Sequence, residues 1–213
     1  MNNLDAIAAA IHAEFEAMNA RRDAVLNHTR ELVRLCAEMI RTVLRRQWNA
    51  VDEQAQALQA AADELRAFVA EYPVLEHTGY TQDAFKEYVE AMITRALVRG
   101  DADLPTPEAL GVLSSTYLNG LAEAASELRR HVLNLLRDGE MDEARRLLDV
   151  MDTIYDVLFS FGYPDAITGG LRHRVDQLRA VLERTRGDVT ASLRQELLLS
   201  AMRELEERLG VQD

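Results

Sequence analysis

The 213-residue sequence predicts an all-α protein, a single-domain bundle of six to seven helices. Apolar residues recur at spacings of three and four, and the period-two alternation typical of half-buried strands is absent. Ala, Leu, Glu and Arg are abundant, and all four are good helix formers. Only 10 Gly and 4 Pro interrupt the chain, so the connectors between helices are expected to be short.

Breaks in the helical pattern divide the chain. Pro73 stops the second helix, because the residue before a proline disfavours the α region. Thr81 is placed to cap the third helix and Gly100 to end it. The loop DADLPTPEAL follows, and Asp138-Gly139 and GYPDAITGG make the later breaks. The predicted helices cover residues 4–46, 49–71, 81–99, 111–137, 141–161 and 171–186, with the last able to continue past Gly187 to residue 209.

The single cysteine, Cys36, excludes a disulfide within the chain and a Cys-based zinc site. It lies on an apolar stripe with Val25, Leu32, Met39 and Val43, which predicts a place in the core. No apolar run of 18 residues occurs, and the acidic start of the sequence does not resemble a signal peptide. These features predict a cytoplasmic protein that does not associate with a membrane.

A formal net charge of −12 argues against a general nucleic-acid binder, but the charge is unevenly distributed. Residues 47–128 carry 4 basic residues against 14 acidic ones, whereas residues 1–46 carry 7 against 6. The acid excess therefore belongs to the middle of the chain, and a basic binding face elsewhere remains compatible with the composition.

Two acidic pairs are candidates for a cation site. Glu87 and Glu90 are three residues apart in FKEYVEA, and Glu123 and Glu127 are four apart in YLNGLAEAASELRR, so each pair shares a helix face. Four carboxylates without His or Cys suit Mg²⁺ or Mn²⁺, which take oxygen ligands. The alternative is a solvated helix surface, the default for acidic pairs in a chain with 36 acids. The apolar neighbours of Glu87 and Glu90 favour a buried helix instead.

An arginine ribbon, defined by Arg30, Arg34, Arg41 and Arg45, falls within about 60° of one face of the first helix. Such a face could follow a phosphate backbone. The alternative is an exposed face whose arginines pair with Glu31 and Glu38.

Four stretches in this order resemble the translin/TRAX family, most closely its archaeal-type members. They are RELVRLCAEMIRTVLRR, FKEYVEA, YLNGLAEAASELRR and GYPDAITGGLRHRVDQLRAVLERTRGDVT. The resemblance covers about residues 21–190. It implies one translin-like domain over 1–213, in which 191–213 is a C-terminal helical extension.

The resemblance implies a translin-like α-α superhelix that assembles into a closed, barrel-like homo-oligomer and binds single-stranded RNA or DNA. TRAX-type subunits are Mg²⁺-dependent endoribonucleases. By this likeness Glu87 and Glu90 match the paired catalytic acids and Glu127 matches a following Glu. Glu123 takes the catalytic position where the family commonly has Asp, which is one methylene shorter.

The leading hypothesis is therefore a single-stranded nucleic-acid-binding protein with Mg²⁺- or Mn²⁺-dependent endoribonuclease activity. A non-catalytic oligomer that only binds single-stranded DNA or RNA is the main alternative. A di-metal oxidase is weaker, because the sequence has no Glu-x-x-His pair. An acidic helical scaffold without nucleic-acid binding is the fourth possibility.

Overall fold

The structure, a computed structural model, describes residues 3–209, and over that range it contains helices and no strand. The last residues of the predicted extension, 210–213, lie outside the described residues. Six long helices form a bundle, and three one-turn helices lie in the connections. They are α1 (Leu4–Val43), α2 (Trp48–Ala70), α3 (Pro73–Glu76), α4 (Gly79–Arg99), α5 (Pro107–Leu110), α6 (Ser114–Asp138), α7 (Met141–Phe159), α8 (Asp165–Thr168) and α9 (Leu171–Leu209).

At each end of the bundle, a contact between two helices shows the directions in which they run. At the first end, where α2 stops and α4 starts, the Arg21 guanidinium of α1 lies 4.0 Å from the centre of the Tyr72 ring. At the second end, Arg99 of α4 donates to Asp52 at the start of α2 at 2.7 Å. Helices α1 and α4 therefore run in the same direction, and α2 runs back between the two ends.

The remaining long helices follow the same axis. Thr116, near the start of α6, bonds Gln82 of α4 at 2.5 Å, and Arg46 after α1 donates to Glu140 before α7 at 2.8 Å. Helix α9 starts beside α8 at the first end and passes the start of α7 near Leu193. Thus α1, α4, α6 and α9 run from the first end to the second, and α7 returns.

One hydrophobic core extends from α1 to α9. On α1 its members follow spacings of four and three, as in a coiled-coil seam, and the predicted apolar stripe is confirmed. This seam packs against α2 and α4. Its buried residues are Val25, Thr29, Leu32, Cys36, Met39 and Val43.

The backbones of α4 and α6 approach closely at Gly120. A Cβ atom built on Gly120 would lie 2.6 Å from the Val89 Cβ and 2.8 Å from the Lys86 carbonyl oxygen, so only glycine fits here. Ala122, Ala124 and Ala125 of α6 are also buried. The small residues around Glu123 therefore let α4 pack closely against α6.

Helix α4 is buried on most of its surface, as its apolar composition predicts. The capping prediction, however, is wrong: α4 starts at Gly79 and Thr78 is its N-cap. Thr81 is buried, and its hydroxyl donates to the Leu75 carbonyl at 2.8 Å. The sequence pattern did not predict the one-turn helix α3. This helix supplies the Leu75 carbonyl, and the Thr81 hydroxyl bonds to it instead of capping α4.

Gly187 does not interrupt α9, which continues to Leu209. Gly187 is exposed, and the buried Thr185 and Val189 on either side hold the helix against the bundle. Among residues 3–209, no helix is both long enough and apolar enough to cross a bilayer.

The close approach at Gly120 predicts that Gly120→Ala lowers the free energy of unfolding by about 1–3 kcal/mol, the usual cost of overpacking a core. Urea denaturation measures the change. Gly187→Ala is the matched control, since no atom lies within 4 Å of the added Cβ. There the better helix propensity of alanine should stabilise by up to about 1 kcal/mol. Equal effects at both positions would contradict the close packing of α4 against α6.

Candidate active site

Three carboxylates from two helices converge beside the α4–α6 contact. Glu87 and Glu90 of α4 and Glu123 of α6 each offer one oxygen, and these oxygens lie within 4.8 Å of one another. The side chains of Glu87 and Glu123 are 33% and 29% exposed, so the cluster opens to solvent on one side. These three residues are called the acid cluster.

Glu90 is the most perturbed member of the acid cluster. Burial, followed by the negative charges of Glu87 and Glu123, raises the pKa of its carboxyl to about 8, against the opposing effect of Lys86. At neutral pH, Glu90 therefore holds a proton in this environment. A divalent cation would have to displace that proton to use Glu90 as a ligand.

Lys86, the only lysine in the chain, lies against the acid cluster. Its ammonium donates to Glu87 Oε1 at 2.8 Å and to Glu123 Oε2. Burial disfavours the charge of this lysine, but the hydrogen bonds with Glu123 and Glu87 outweigh burial, and its pKa is raised. Lys86 therefore stays charged and neutralises one of the two acids that it bridges.

A second cation reaches Glu123 from another helix. Arg174 of α9 donates through Nε to Glu123 Oε1 at 3.0 Å, so Glu123 is held from both sides. With Glu90 protonated, two carboxylates face two cations, and the cluster is balanced without any added ion. The arginine also ties the first turn of α9 to the site.

Glu127 lies one turn after Glu123 but outside the three carboxylates whose oxygens converge. Burial raises the pKa of Glu127, with a weaker opposing effect from Arg130, whose guanidinium lies 3.8 Å away. The charge of Glu127 also contributes to the raised pKa of Glu90. Its role as a metal ligand stays a prediction.

Helix α1 carries Cys36, whose thiol is affected by two charges of the acid cluster. The Cys36 thiol is fully buried, and its pKa is raised by burial first and then by the charges of Glu87 and Glu90. A thiol with a raised pKa is a poor nucleophile, so Cys36 is a core residue here.

The arginine ribbon does not reach the acid cluster within one chain. At 100° per residue, its four arginines lie about 120–180° around α1 from Cys36, on the opposite face. All four are exposed. Arg34 donates to Glu31 at 2.9 Å and to Glu38 at 2.5 Å. For this arginine, the alternative of an exposed face paired with Glu31 and Glu38 is the one observed.

Sequence reasoning missed the two cations of the site. Lys86 had a signal, because it is the only lysine and precedes Glu87 directly. Arg174 is one of five arginines between residues 171 and 186, and nothing in that pattern distinguishes the one that reaches α6.

Known proteins resemble this chain in sequence and in fold. No family model matches the chain. The uncharacterised protein MJ0175 of Methanocaldococcus jannaschii is 29% identical over 171 residues, which cover 79% of this chain and 74% of that protein.

Solved structures of the C3PO/translin family share the fold. AfC3PO in complex with duplex RNA is 28% identical, with a TM-score of 0.77, over 89% of this chain and 97% of the other. The same protein alone gives a TM-score of 0.76 at 28% identity, over 89% and 98%. The chain is translin/TRAX-like in sequence and fold. The likeness of this translin/TRAX-like chain to apo-NeC3PO, with a TM-score of 0.77 at 19% identity over 90% and 98%, shows the fold alone. The predicted all-α, translin-like fold is confirmed, and an oligomeric barrel is consistent with these neighbours.

The raised pKa of Glu90 predicts a pH-dependent stability in the presence of EDTA. Between the ordinary carboxyl pKa of 4.5 and about 8, the folded chain holds a proton that the unfolded chain releases. Stability therefore falls as the pH rises through this window. Glu90→Gln removes the dependence, so its Tm advantage over the parent should grow from pH 5 to pH 9, to about 2–5 °C.

Thermal unfolding followed by circular dichroism measures this difference. The exposed Glu204→Gln variant is the control and should show no such trend. If Glu90→Gln is less stable than the parent at pH 9, the folded chain stabilises the ionised Glu90 and the pKa of this carboxyl is not raised.

Proposed function

We propose that this translin/TRAX-like protein is a divalent-metal-dependent endoribonuclease in which the acid cluster holds Mg²⁺ or Mn²⁺. The observation that carries the proposal is the convergence of three carboxylate oxygens within 4.8 Å beside a solvent-open face. Glu87, Glu90 and Glu123 come from two helices that the Gly120 contact holds together, so their geometry is set by the fold.

The donor set fits these ions. Hard divalent cations prefer carboxylate oxygens, and the converging set contains no His or Cys. The cluster also needs compensation for its charge, which Lys86, Arg174 and the Glu90 proton supply in the chain as it stands. A cation with two charges could take over from the lysine and the proton together.

Each residue has a chemical role in this proposal. A bound Mg²⁺ or Mn²⁺ would supply an activated water and stabilise charge on a phosphoryl group. Arg174 orients Glu123 and, once free of it, offers donors to a phosphate oxygen. Lys86, displaced from Glu123 and Glu87, places a second positive charge next to the reacting phosphate.

RNA is the proposed substrate. AfC3PO, whose sequence is 28% identical, has been solved in complex with duplex RNA. The likeness of the sequence motifs to translin/TRAX adds single-stranded RNA or DNA as ligands. Arg30, Arg41 and Arg45 of the exposed ribbon would hold a phosphate backbone on the face of α1 remote from the acid cluster.

A non-catalytic RNA- or DNA-binding oligomer is the second candidate. One observation favours it: the bonds of Lys86 to Glu87 and Glu123 already balance the acids without a metal. In that case the cluster would be a structural ion network, and binding would not lead to cleavage. Metal-dependent cleavage distinguishes the two candidates.

Cleavage of labelled RNA tests the proposal. The parent should cut RNA with Mg²⁺ or Mn²⁺ and not with EDTA, and both a single-stranded and a duplex substrate should be supplied. Glu90→Gln should lower the cleavage rate by at least about 100-fold, because a ligand of the metal loses its charge. RNA binding should remain.

The control is Glu204→Gln/Glu207→Gln, an exposed pair with the same spacing of three as Glu87 and Glu90. It should cleave at the parental rate. Cleavage by Glu90→Gln at that rate would exclude the acid cluster as the active site. Binding without cleavage by the parent would establish the non-catalytic candidate.

The place of Lys86 predicts competition with a metal. Lys86→Met should tighten Mn²⁺ binding by about tenfold or more, since it removes a positive charge next to the cation site. Isothermal titration calorimetry measures this directly, without any cleavage. Lys86→Arg keeps the charge and should stay near the parental affinity. Weaker Mn²⁺ binding by Lys86→Met would show instead that the lysine builds the site.

A further inference from the structure

A cleft at the first end of the bundle takes no part in the proposed function. It lies between the end of α7, the segment that follows α7 and the first two turns of α9, and its volume is about 320 Å³. Clefts of this size hold small molecules. Its lining includes Leu158, Leu171 and Val175, which are buried and give the cleft an apolar floor.

Three aromatic side chains border this cleft and stay exposed. Phe159, Phe161 and Tyr163 are 69%, 37% and 62% exposed. The ring of Phe159 stacks on Tyr155 of α7, with the ring centres 5.8 Å apart and the planes at 30°, and this contact restrains it. Aromatic side chains that remain exposed together around a concave surface are typical of a binding site.

Arg172 and Asp176 add one charge of each sign to the cleft. They are four residues apart on α9 and therefore share a helix face. Among residues 3–209, neither of them forms an ion pair, unlike Arg174 nearby, which binds Glu123. The cleft thus offers a guanidinium to an anion and a carboxylate to N–H donors.

We propose that this cleft binds a nucleotide whose base carries an amino group. The base stacks on the aromatic walls, because every base has a flat π face. Arg172 binds the phosphate, and Asp176 accepts a hydrogen bond from the amino group. A nucleotide therefore matches the rings, the cation and the carboxylate together. It is either a free mononucleotide or one residue of an RNA chain.

A second protein surface fits the cleft less well. Charged residues are depleted at the centres of protein interfaces. An apolar partner seated on the three rings would cover Arg172 and Asp176 without supplying a partner to either. Burying unpaired charges in this way is costly, whereas a nucleotide uses both of them.

The cleft and the acid cluster lie on opposite sides of α9. At 100° per residue, Arg172 and Asp176 are each about 160° around the helix from Arg174, which binds Glu123. A nucleotide in the cleft therefore does not touch the acid cluster. The proposal stands independently of the nuclease activity, and Glu90→Gln should bind AMP as the parent does.

Isothermal titration calorimetry of the full chain with AMP, in the presence of EDTA, tests the site. Phe161→Ala should weaken AMP binding by about tenfold, because a stacked ring is lost. Arg172→Gln should weaken AMP binding by about tenfold and leave adenosine binding unchanged, since adenosine has no phosphate. Phe15→Ala and Arg194→Gln change exposed residues that do not line the cleft, and both should bind AMP like the parent.

A matched pair of ligands tests the role of Asp176. IMP carries a carbonyl where AMP carries the amino group, so IMP should bind about tenfold more weakly than AMP. Asp176→Asn should remove this difference, because an amide can accept from the one and donate to the other. Equal binding of AMP and IMP by the parent would exclude recognition of the base by Asp176.

A 5′-phosphorylated triadenylate distinguishes the two sources of the nucleotide. Binding that is tighter than that of AMP and is weakened by Phe161→Ala assigns the cleft to a residue of RNA, and binding no tighter than that of AMP assigns it to a free mononucleotide. The proposal is overturned if neither ligand binds, or if Phe161→Ala and Arg172→Gln leave AMP binding unchanged. It is equally overturned if Phe161→Ala alters the sedimentation of the chain and not its affinity for AMP, since the rings would then serve a contact between copies.

Discussion

The close approach of α4 and α6 at Gly120 is the contact on which the candidate site depends. Gly120 allows Val89 and the backbone of Lys86 to come within the space that any side chain would fill. That approach brings Glu123 of α6 to Glu87 and Glu90 of α4. With a larger residue at 120 the helices would separate, and the three carboxylates would become ordinary surface acids.

Bringing carboxylates together costs free energy, and the chain offsets this cost in three ways. Lys86 bridges Glu87 and Glu123, Arg174 binds Glu123 from α9, and Glu90 keeps its proton. In the proposed metal-bound state, a divalent cation would take over from the lysine and the proton. The charge of the site is balanced without a metal and could also be balanced with one. The site is therefore compatible with both candidate functions, and metal-dependent cleavage decides between them.

Helix α1 contributes its apolar seam to the hydrophobic core. Its buried part carries Cys36, whose thiol pKa is raised by burial and by the charges of Glu87 and Glu90.

The sequence by itself determined the all-α fold, the positions of the six long helices to within a few residues, and the α1 seam. These follow from local spacing and from Gly and Pro, which act within a few residues along the chain. It also selected Glu87, Glu90 and Glu123, through their apolar surroundings and the likeness to translin/TRAX. Only the tertiary structure decided that Lys86 and Arg174 bind Glu123, 37 and 51 residues away in sequence. It also placed the arginine ribbon on the far side of α1 from the acids. Helical periodicity shows which residues share a face, but which faces meet is settled by packing between helices that are distant along the chain.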